Sequence, residues 1–179
     1  MPLATLQPPS SRAMATRFWL TLAFAAVVAA LAGCATQPRE PATPREYLVV
    51  GSRDKGREVV MYAFSLIDIG YRFGGSNPDT GLDCSGMVSY LYDKVTGARL
   101  PHNAAAIARI ARPIDRSDLQ PGDLLFFNTR RKPFSHVAIF VGNDRFVHAP
   151  SSNGKIRLDS LSEGYFAKRF ESARTLLRD

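Results

Sequence analysis

Two cysteines and three histidines carry most of the nucleophilic and proton-transfer chemistry open to this chain. Cys84 sits in Gly81-Leu82-Asp83-Cys84-Ser85-Gly86. Met87, Val88, Leu91 and Val95 follow at the spacing of one apolar helical stripe, and Gly97 follows as a helix-ending glycine. The pattern predicts that Cys84 lies in the first turn of a helix. There, free backbone N–H groups and the helix dipole favour a thiolate. A lone cysteine at this position also suits a small core residue. A cysteine nucleophile needs a base within hydrogen-bond reach, and the base needs a group to orient it. His136 and His148 are the candidates. His102 sits instead in the Leu100-Pro101-His102-Asn103 break before a helix.

A β-hairpin must position those two histidines. His136 opens Val137-Ala138-Ile139-Phe140-Val141, and His148 closes Arg145-Phe146-Val147, with Gly142-Asn143-Asp144 between. Read as a three-residue loop, that turn pairs Val141 with Arg145 and sets Ala138 opposite His148. Both histidines then share one face as diagonal neighbours, roughly 7–8 Å apart at the backbone. A two-residue loop slips the register by one and sends them to opposite faces.

The corresponding chemistry is acyl transfer. Cys84 attacks an amide carbonyl, and His136 holds the thiolate as an ion pair and later protonates the leaving amine. His148 bonds the far nitrogen of His136 and fixes its tautomer. The Cys84 N–H and the Tyr71 hydroxyl are the expected oxyanion donors. Zinc binding by Cys84, His136 and His148 has the right ligand types. It lacks the short Cys-x-x-Cys or His-x-x-x-His pairs that usually assemble a metal site, so no metal or cofactor is expected. Asp83 is expected to cap the Cys84 helix and Asp123 to cap the Gln120-Pro121-Gly122-Asp123 turn.

The N-terminus reads as a targeting segment. Arg17 precedes the apolar run Phe18 to Leu31, which ends in Leu31-Ala32-Gly33-Cys34. Met14 is an alternative start for the same segment. Leu-Ala-Gly-Cys resembles a bacterial lipoprotein signal, which implies cleavage before Cys34 and lipidation of its sulfur. An ordinary signal peptide or uncleaved anchor is the alternative. If Cys34 carries lipid, Cys84 has no disulfide partner in an oxidising compartment, which favours a chemical role for it. Expected boundaries are 1–33 for the signal, 34–50 for the lipidated cysteine and a proline-rich linker, and 51–179 for one catalytic domain. Ala35 carries no Asp-type retention signal. By resemblance to Gram-negative lipoproteins, the expected location is the periplasmic face of an outer membrane, with a monomer tethered there. The formal net charge of +7 suits an anionic envelope polymer or lipid headgroups. No basic cluster alternates with stacking aromatics, so no nucleic-acid partner is expected.

Helical patterns come first: residues 57–69, ended by Gly70, then the Cys84 helix, then Ala104 to Ile110 capped by Asn103. Strand patterns follow at Leu124–Phe127, the hairpin, Lys155–Leu158 as an edge, and Phe170–Leu177. That order argues for an α+β fold with N-terminal helices packed on a small antiparallel meander sheet.

Together, Tyr71-Arg72-Phe73-Gly74-Gly75, Leu82-Asp83-Cys84-Ser85-Gly86, Leu100-Pro101, Pro121-Gly122-Asp123-Leu124-Leu125-Phe126-Phe127, Ser135-His136-Val137-Ala138-Ile139-Phe140 and Val147-His148-Ala149 resemble the NlpC/P60 family of cell-wall peptidases. The resemblance covers most of residues 57–177. It implies a circularly permuted papain-like fold and a Cys84-His136-His148 triad. It also implies hydrolysis of peptidoglycan stem peptides, typically at the γ-D-glutamyl–diaminopimelate bond. Asp83 and Ser85 match family positions that line the subsite for the stem peptide's N-terminal residue, and Tyr71 matches the oxyanion tyrosine. The chain departs from the family at His102-Asn103, where Arg-Thr or Arg-Ser is common, and at Phe73, where Trp is usual. The alternatives are a non-catalytic lipoprotein that binds wall peptides or regulates a hydrolase, and an amidase or acyltransferase acting on another substrate.

Overall fold

The computed structural model describes residues 46–151 and 154–178. The signal-like segment and Cys34 lie outside them. The described chain is hydrogen-bonded into the domain from its start. The Leu48 N–H donates to the Ile110 carbonyl at 2.9 Å, and the Val50 N–H to the Leu176 carbonyl at 2.8 Å. The last residues of the 34–50 stretch expected as linker are thus tied to the domain.

Strand β1 (Gly51–Ser52) leads into helix α1 (Arg53–Ser65). The helix starts and stops one turn earlier than its apolar spacing predicts. Asp68 adopts φ 70°, which breaks the helical path. Gly70 is not a helix stop but bridges Lys155 in antiparallel pairing. Strands β2 (Ser76–Asn77) and β3 (Gly81–Leu82) form a small hairpin. Helix α2 (Cys84–Thr96) ends at Gly97, whose φ of 73° and N–H bond to the Asp93 carbonyl make the predicted left-handed cap. Helix α3 (Ala104–Ile110) takes the predicted Asn103 cap, with the Asn103 side chain accepting the Ala106 N–H at 2.9 Å.

The remaining elements build one antiparallel sheet of six strands. They are β4 (Arg112–Ile114), β5 (Leu124–Phe127), β6 (His136–Gly142), β7 (Arg145–His148), β8 (Arg157–Ser160) and β9 (Phe170–Thr175), with the short helix α4 (Gly164–Ala167) between β8 and β9. A last strand, β10 (Leu177–Arg178), pairs in parallel with β1. The sheet order is β4-β9-β5-β6-β7-β8. Strands β5 to β8 are the expected meander. Strand β9 does not extend it but returns to the far side of β5, so the predicted C-terminal strand is internal rather than an edge.

All four residues of β5 are buried. Leu124 and Phe126 join Val137, Ile139 and Val147 in the core beneath α1, α2 and α3. Leu125 and Phe127 join Ala138, Phe140, Phe146, Leu161, Phe166 and Ala173 in a second cluster on the other face. A strand covered on both faces reads as an unbroken apolar run, which explains the Leu-Leu-Phe-Phe sequence. Asp123, just before it, is the expected cap, accepting the Gln120 N–H at 2.8 Å. It also accepts from Arg53 at 2.7 Å and so ties α1 to the sheet. Burial pushes its carboxyl up, against the opposing pull of Thr175, the Gln120 N–H and Arg53.

The β6–β7 turn corrects the loop reading. Ile139 lies opposite Val147 and Phe140 opposite Phe146, but Gly142 lies opposite Arg145, so Val141 is an unpaired bulge. The turn itself is two residues, Asn143 and Asp144, at φ 49° and 58°. Positive φ at both central positions is the type I′ signature. The bulge inserts the residue that the shorter loop omits. The register beyond it therefore equals the one a three-residue loop predicts.

Candidate active site

The start of α2 is built around Asp83. Its Oδ1 accepts the Gly86 N–H at 2.7 Å and the Ser85 hydroxyl at 2.9 Å, and meets His102 Nε2 at 2.9 Å. Its Oδ2 accepts the Gly74 N–H at 3.0 Å. Such a cap stabilises a helix by about 1 kcal/mol. Burial pushes the Asp83 carboxyl up, but the Gly86 N–H, His102 and Ser85 outweigh it and hold it below the ordinary range. Gly86 is required for a different reason. A Cβ there would fall 2.0 Å from the Gly75 carbonyl oxygen. This close approach seats the Tyr71–Gly75 loop on the helix start.

Cys84 is the first residue of α2 and is half-buried, with a free thiol. Burial pushes the thiol up, and the Asp83 carboxylate adds to the push. The backbone N–H groups of Val137 and Ser85 oppose it, as does Arg130 more weakly. Desolvation thus works against the thiolate that the helix start favours. The Val137 contact brings the sulfur to the opening of β6, one residue from His136.

His136 and His148 share the sheet face of Ala138, Phe140 and Phe146. His136 Nε2 lies 2.9 Å from His148 Nδ1, with the rings perpendicular and 5.1 Å apart. Phe166 of α4 packs on both, at 5.7 Å and 4.6 Å between centroids, and Phe127 and Phe146 complete an aromatic box. Burial drives His136 well below the ordinary imidazole value, and His148, Arg130 and Arg157 push the same way. Burial also lowers His148, against the opposing pull of Asp159. Burial therefore disfavours the charged form of both rings.

Tyr71 bridges Leu82 beside this opening. Burial raises its phenol, and so do the nearby Cys84 and Asp83, while Arg130 opposes them. It stays a protonated donor in the field of the sulfur. Arg130, from the loop between β5 and β6, also stands over the exposed Phe73 ring, 5.7 Å from its centroid.

Of the residues picked out by sequence, the fold gathers Cys84, His136, His148, Tyr71, Asp83 and Ser85 around the start of α2 and β6. His102 joins them as a partner of Asp83 rather than as a base. Three participants were not anticipated: Asp159, Arg157 and Phe166. His148 Nε2 meets Asp159 Oδ2 at 2.8 Å, and the same oxygen accepts from Arg157 Nε and Nη2, both at 3.1 Å. Arg157-x-Asp159 is an alternating pair with both side chains on one strand face. Extending the predicted edge strand one residue past Leu158 would have exposed it.

Residues 69–175 match the NlpC/P60 family, and the chain belongs to that family. It is 43% identical over 110 residues to the murein DD-endopeptidase MepH of Escherichia coli (strain K12), covering 60% of this chain and 41% of that protein. It is 35% identical over 117 residues to the gamma-DL-glutamyl hydrolase of Bacillus subtilis (strain 168), covering 65% of this chain and 28% of that protein. The chain spans less than half the length of either relative. Among solved structures, the NlpC/p60 domain of peptidoglycan hydrolase SagA superposes with a TM-score of 0.59 at 31% identity, over 67% of this chain and 97% of that one. These agree with the α+β fold expected from the order of helices and strands.

Proposed function

We propose that this chain is a cysteine peptidase that hydrolyses peptide amides of peptidoglycan, with Cys84 as nucleophile, His136 as base and His148 as its orienting partner. The observation that carries the reading is the 2.9 Å contact between His136 Nε2 and His148 Nδ1. It occupies the far nitrogen of His136 and leaves Nδ1 for the thiol. The Cys84 proton passes to Nδ1 as the sulfur bonds to the scissile carbonyl carbon. The oxyanion takes hydrogen bonds from the Cys84 N–H and the Tyr71 hydroxyl. Collapse of the tetrahedral intermediate expels the amine, which leaves with the proton from His136. Water, deprotonated by the same ring, then hydrolyses the thioester.

Two bonds are candidates. The γ-D-glutamyl–diaminopimelate bond requires a subsite for the stem peptide's free amine at Asp83 and Ser85. Here Asp83 is already bonded to Ser85, Gly86, Gly74 and His102. That favours a second reading, cleavage of the D,D cross-link, which matches the activity in the name of the 43% identical relative. Digestion of purified peptidoglycan by the full chain in detergent, read by mass spectrometry beside Cys84→Ala, tests both. Cross-linked dimers turning into monomers mark the D,D bond, and release of the N-terminal dipeptide marks the other. No new fragments from several wall types would overturn the peptidase reading.

The same reading places a lipid on Cys34 and the monomeric domain at the periplasmic face of the outer membrane, supported by the Leu31-Ala32-Gly33-Cys34 ending. Mass spectrometry of the N-terminal peptide should find the lipid. An unmodified Cys34 in membrane-fractionated cells refutes the anchor.

A further inference from the structure

We infer that Asp159, held by Arg157, is a positioning residue that sets the tautomers of both histidines and thereby makes His136 a base toward Cys84. The inference rests on the catalytic roles proposed above, but its geometry is independent of the substrate. A histidine is an ambiguous third member of such a set, because either ring nitrogen can donate or accept. The contact between His136 Nε2 and His148 Nδ1 needs one proton, and either ring could supply it. If His148 Nδ1 carries it, His148 Nε2 is bare and its lone pair faces the Asp159 carboxylate at 2.8 Å. That arrangement sets acceptor against acceptor. If His148 Nε2 carries the proton, it donates to Asp159 and leaves Nδ1 bare. His136 Nε2–H must then donate to His148, and His136 Nδ1 is left with a lone pair. Only this second arrangement lets His136 take the thiol proton.

Arg157 keeps the choice one-sided. Its Nε and Nη2 both donate at 3.1 Å to the oxygen that His148 uses. They hold the carboxylate ionised, so it cannot become the donor that the first arrangement would need. The strand register builds this in. His148 pairs with Arg157 and Phe146 with Asp159 across β7 and β8, so Asp159 reaches His148 diagonally on the histidine face. The charged groups that act on His136 include Arg130, Arg157 and Asp159, with His148 once it is protonated, and those that act on Cys84 include Asp83 and Arg130. Asp159 is the carboxylate that favours the protonated form of His136. Its removal both frees the tautomer and withdraws support from the imidazolium.

The test uses the full chain in detergent with ¹⁵N-labelled histidine. In the wild type, imidazole nitrogen spectra should show both rings protonated on Nε2 and bare on Nδ1. In Asp159→Ala, His148 should populate the Nδ1–H form, and His136 should lose its bare Nδ1. In Asp159→Asn, Arg157 keeps the amide oxygen toward His148. The tautomers should persist, while His136 protonates at a lower pH than in the wild type. With an active substrate, kcat of Asp159→Ala should fall by about 10- to 100-fold with KM changed less than about twofold, and Asp159→Asn should fall less. Unchanged tautomers in Asp159→Ala, or a His136 titration that does not move in Asp159→Asn, overturns the inference. These spectra decide it even if no peptidoglycan bond is cut, so its failure and that of the peptidase reading are told apart.

Discussion

His136 and His148 meet at 2.9 Å because a single residue between them, Val141, drops out of the β6–β7 ladder. The two-residue turn alone would put the rings on opposite faces, and the bulge restores the phase. The geometry of the site therefore depends on the backbone at Asn143 and Asp144, which lie between the two histidines in the chain.

That dependence can be measured at the turn. Asn143 holds φ 49°, a left-handed conformation that asparagine and glycine tolerate and β-branched residues resist. Asn143→Val should cost about 1–2 kcal/mol, and Asn143→Gly should be close to neutral. Urea midpoints compare them. Equal midpoints for the two variants would contradict the turn assignment.

The three site residues should fail unequally. Cys84→Ala should leave no detectable hydrolysis, and His136→Ala almost none. His148→Ala should keep weak residual activity, because its role is to orient rather than to exchange the proton. Initial rates on one peptidoglycan preparation check the order. Equal residual rates for the two histidine variants would refute the division of roles.

The close approach of Gly86 to Gly75 predicts a contrast between two glycines. A Cβ at Gly86 meets backbone at 2.0 Å, whereas one at Gly97 meets nothing within 4 Å. Gly86→Ala should cost about 1–3 kcal/mol or more by overpacking and should slow hydrolysis by shifting the loop that carries Tyr71. Gly97→Ala carries only the strain of its positive φ, about 1 kcal/mol, and should leave hydrolysis untouched. Denaturation midpoints with activity assays separate the two.

Stability should fall on mild acidification. Burial holds His136 and His148 below the ordinary value of 6.5. The unfolded chain therefore binds more protons than the folded one once the pH drops through that value, and the folded state loses stability from there downward. Asp159, lowered chiefly by its bond to His148, and Asp83 act in a separate window. Their contribution is present above the ordinary carboxylate value of 3.8 and is lost as the pH falls through their lowered values. Melting temperatures across the neutral to mildly acid range should decline in the wild type and flatten in a His136→Gln, His148→Gln double variant. A flat wild-type profile there would be incompatible with buried neutral rings.

Much of the site was legible where local chemistry decides structure. Asp83 before a helical stripe reads as a cap, and Asn103 likewise, because capping is set within three or four residues. The shared face of His136 and His148 was legible through strand alternation, although the loop length behind it was misread. A bulge leaves no compositional mark, so Val141 looks like any strand residue. Protonation was not legible. The helix start argues for a thiolate at Cys84, and the desolvation that opposes it arises only with packing. Asp159 and Phe166 were hidden because their partners are brought to them by strand pairing and by α4, not by spacing along the chain. The place of β9 between β4 and β5 was hidden for the same reason.

The pairing of β1 with β10, Gly51 against Leu177 and Ser52 against Arg178, has a kinetic consequence. The domain is latched by β1 and β10, and β9, which joins β4 to the rest of the sheet, comes late in the domain. No N-terminal fragment can complete the sheet or bury Leu176 and Leu177. Folding of the domain must wait for β9 and β10, and pairings as distant in sequence as Gly51 with Leu177 make that step slow. The domain stays open until β10 has been made, and deleting Leu177 and Arg178 should free β1 at the same time.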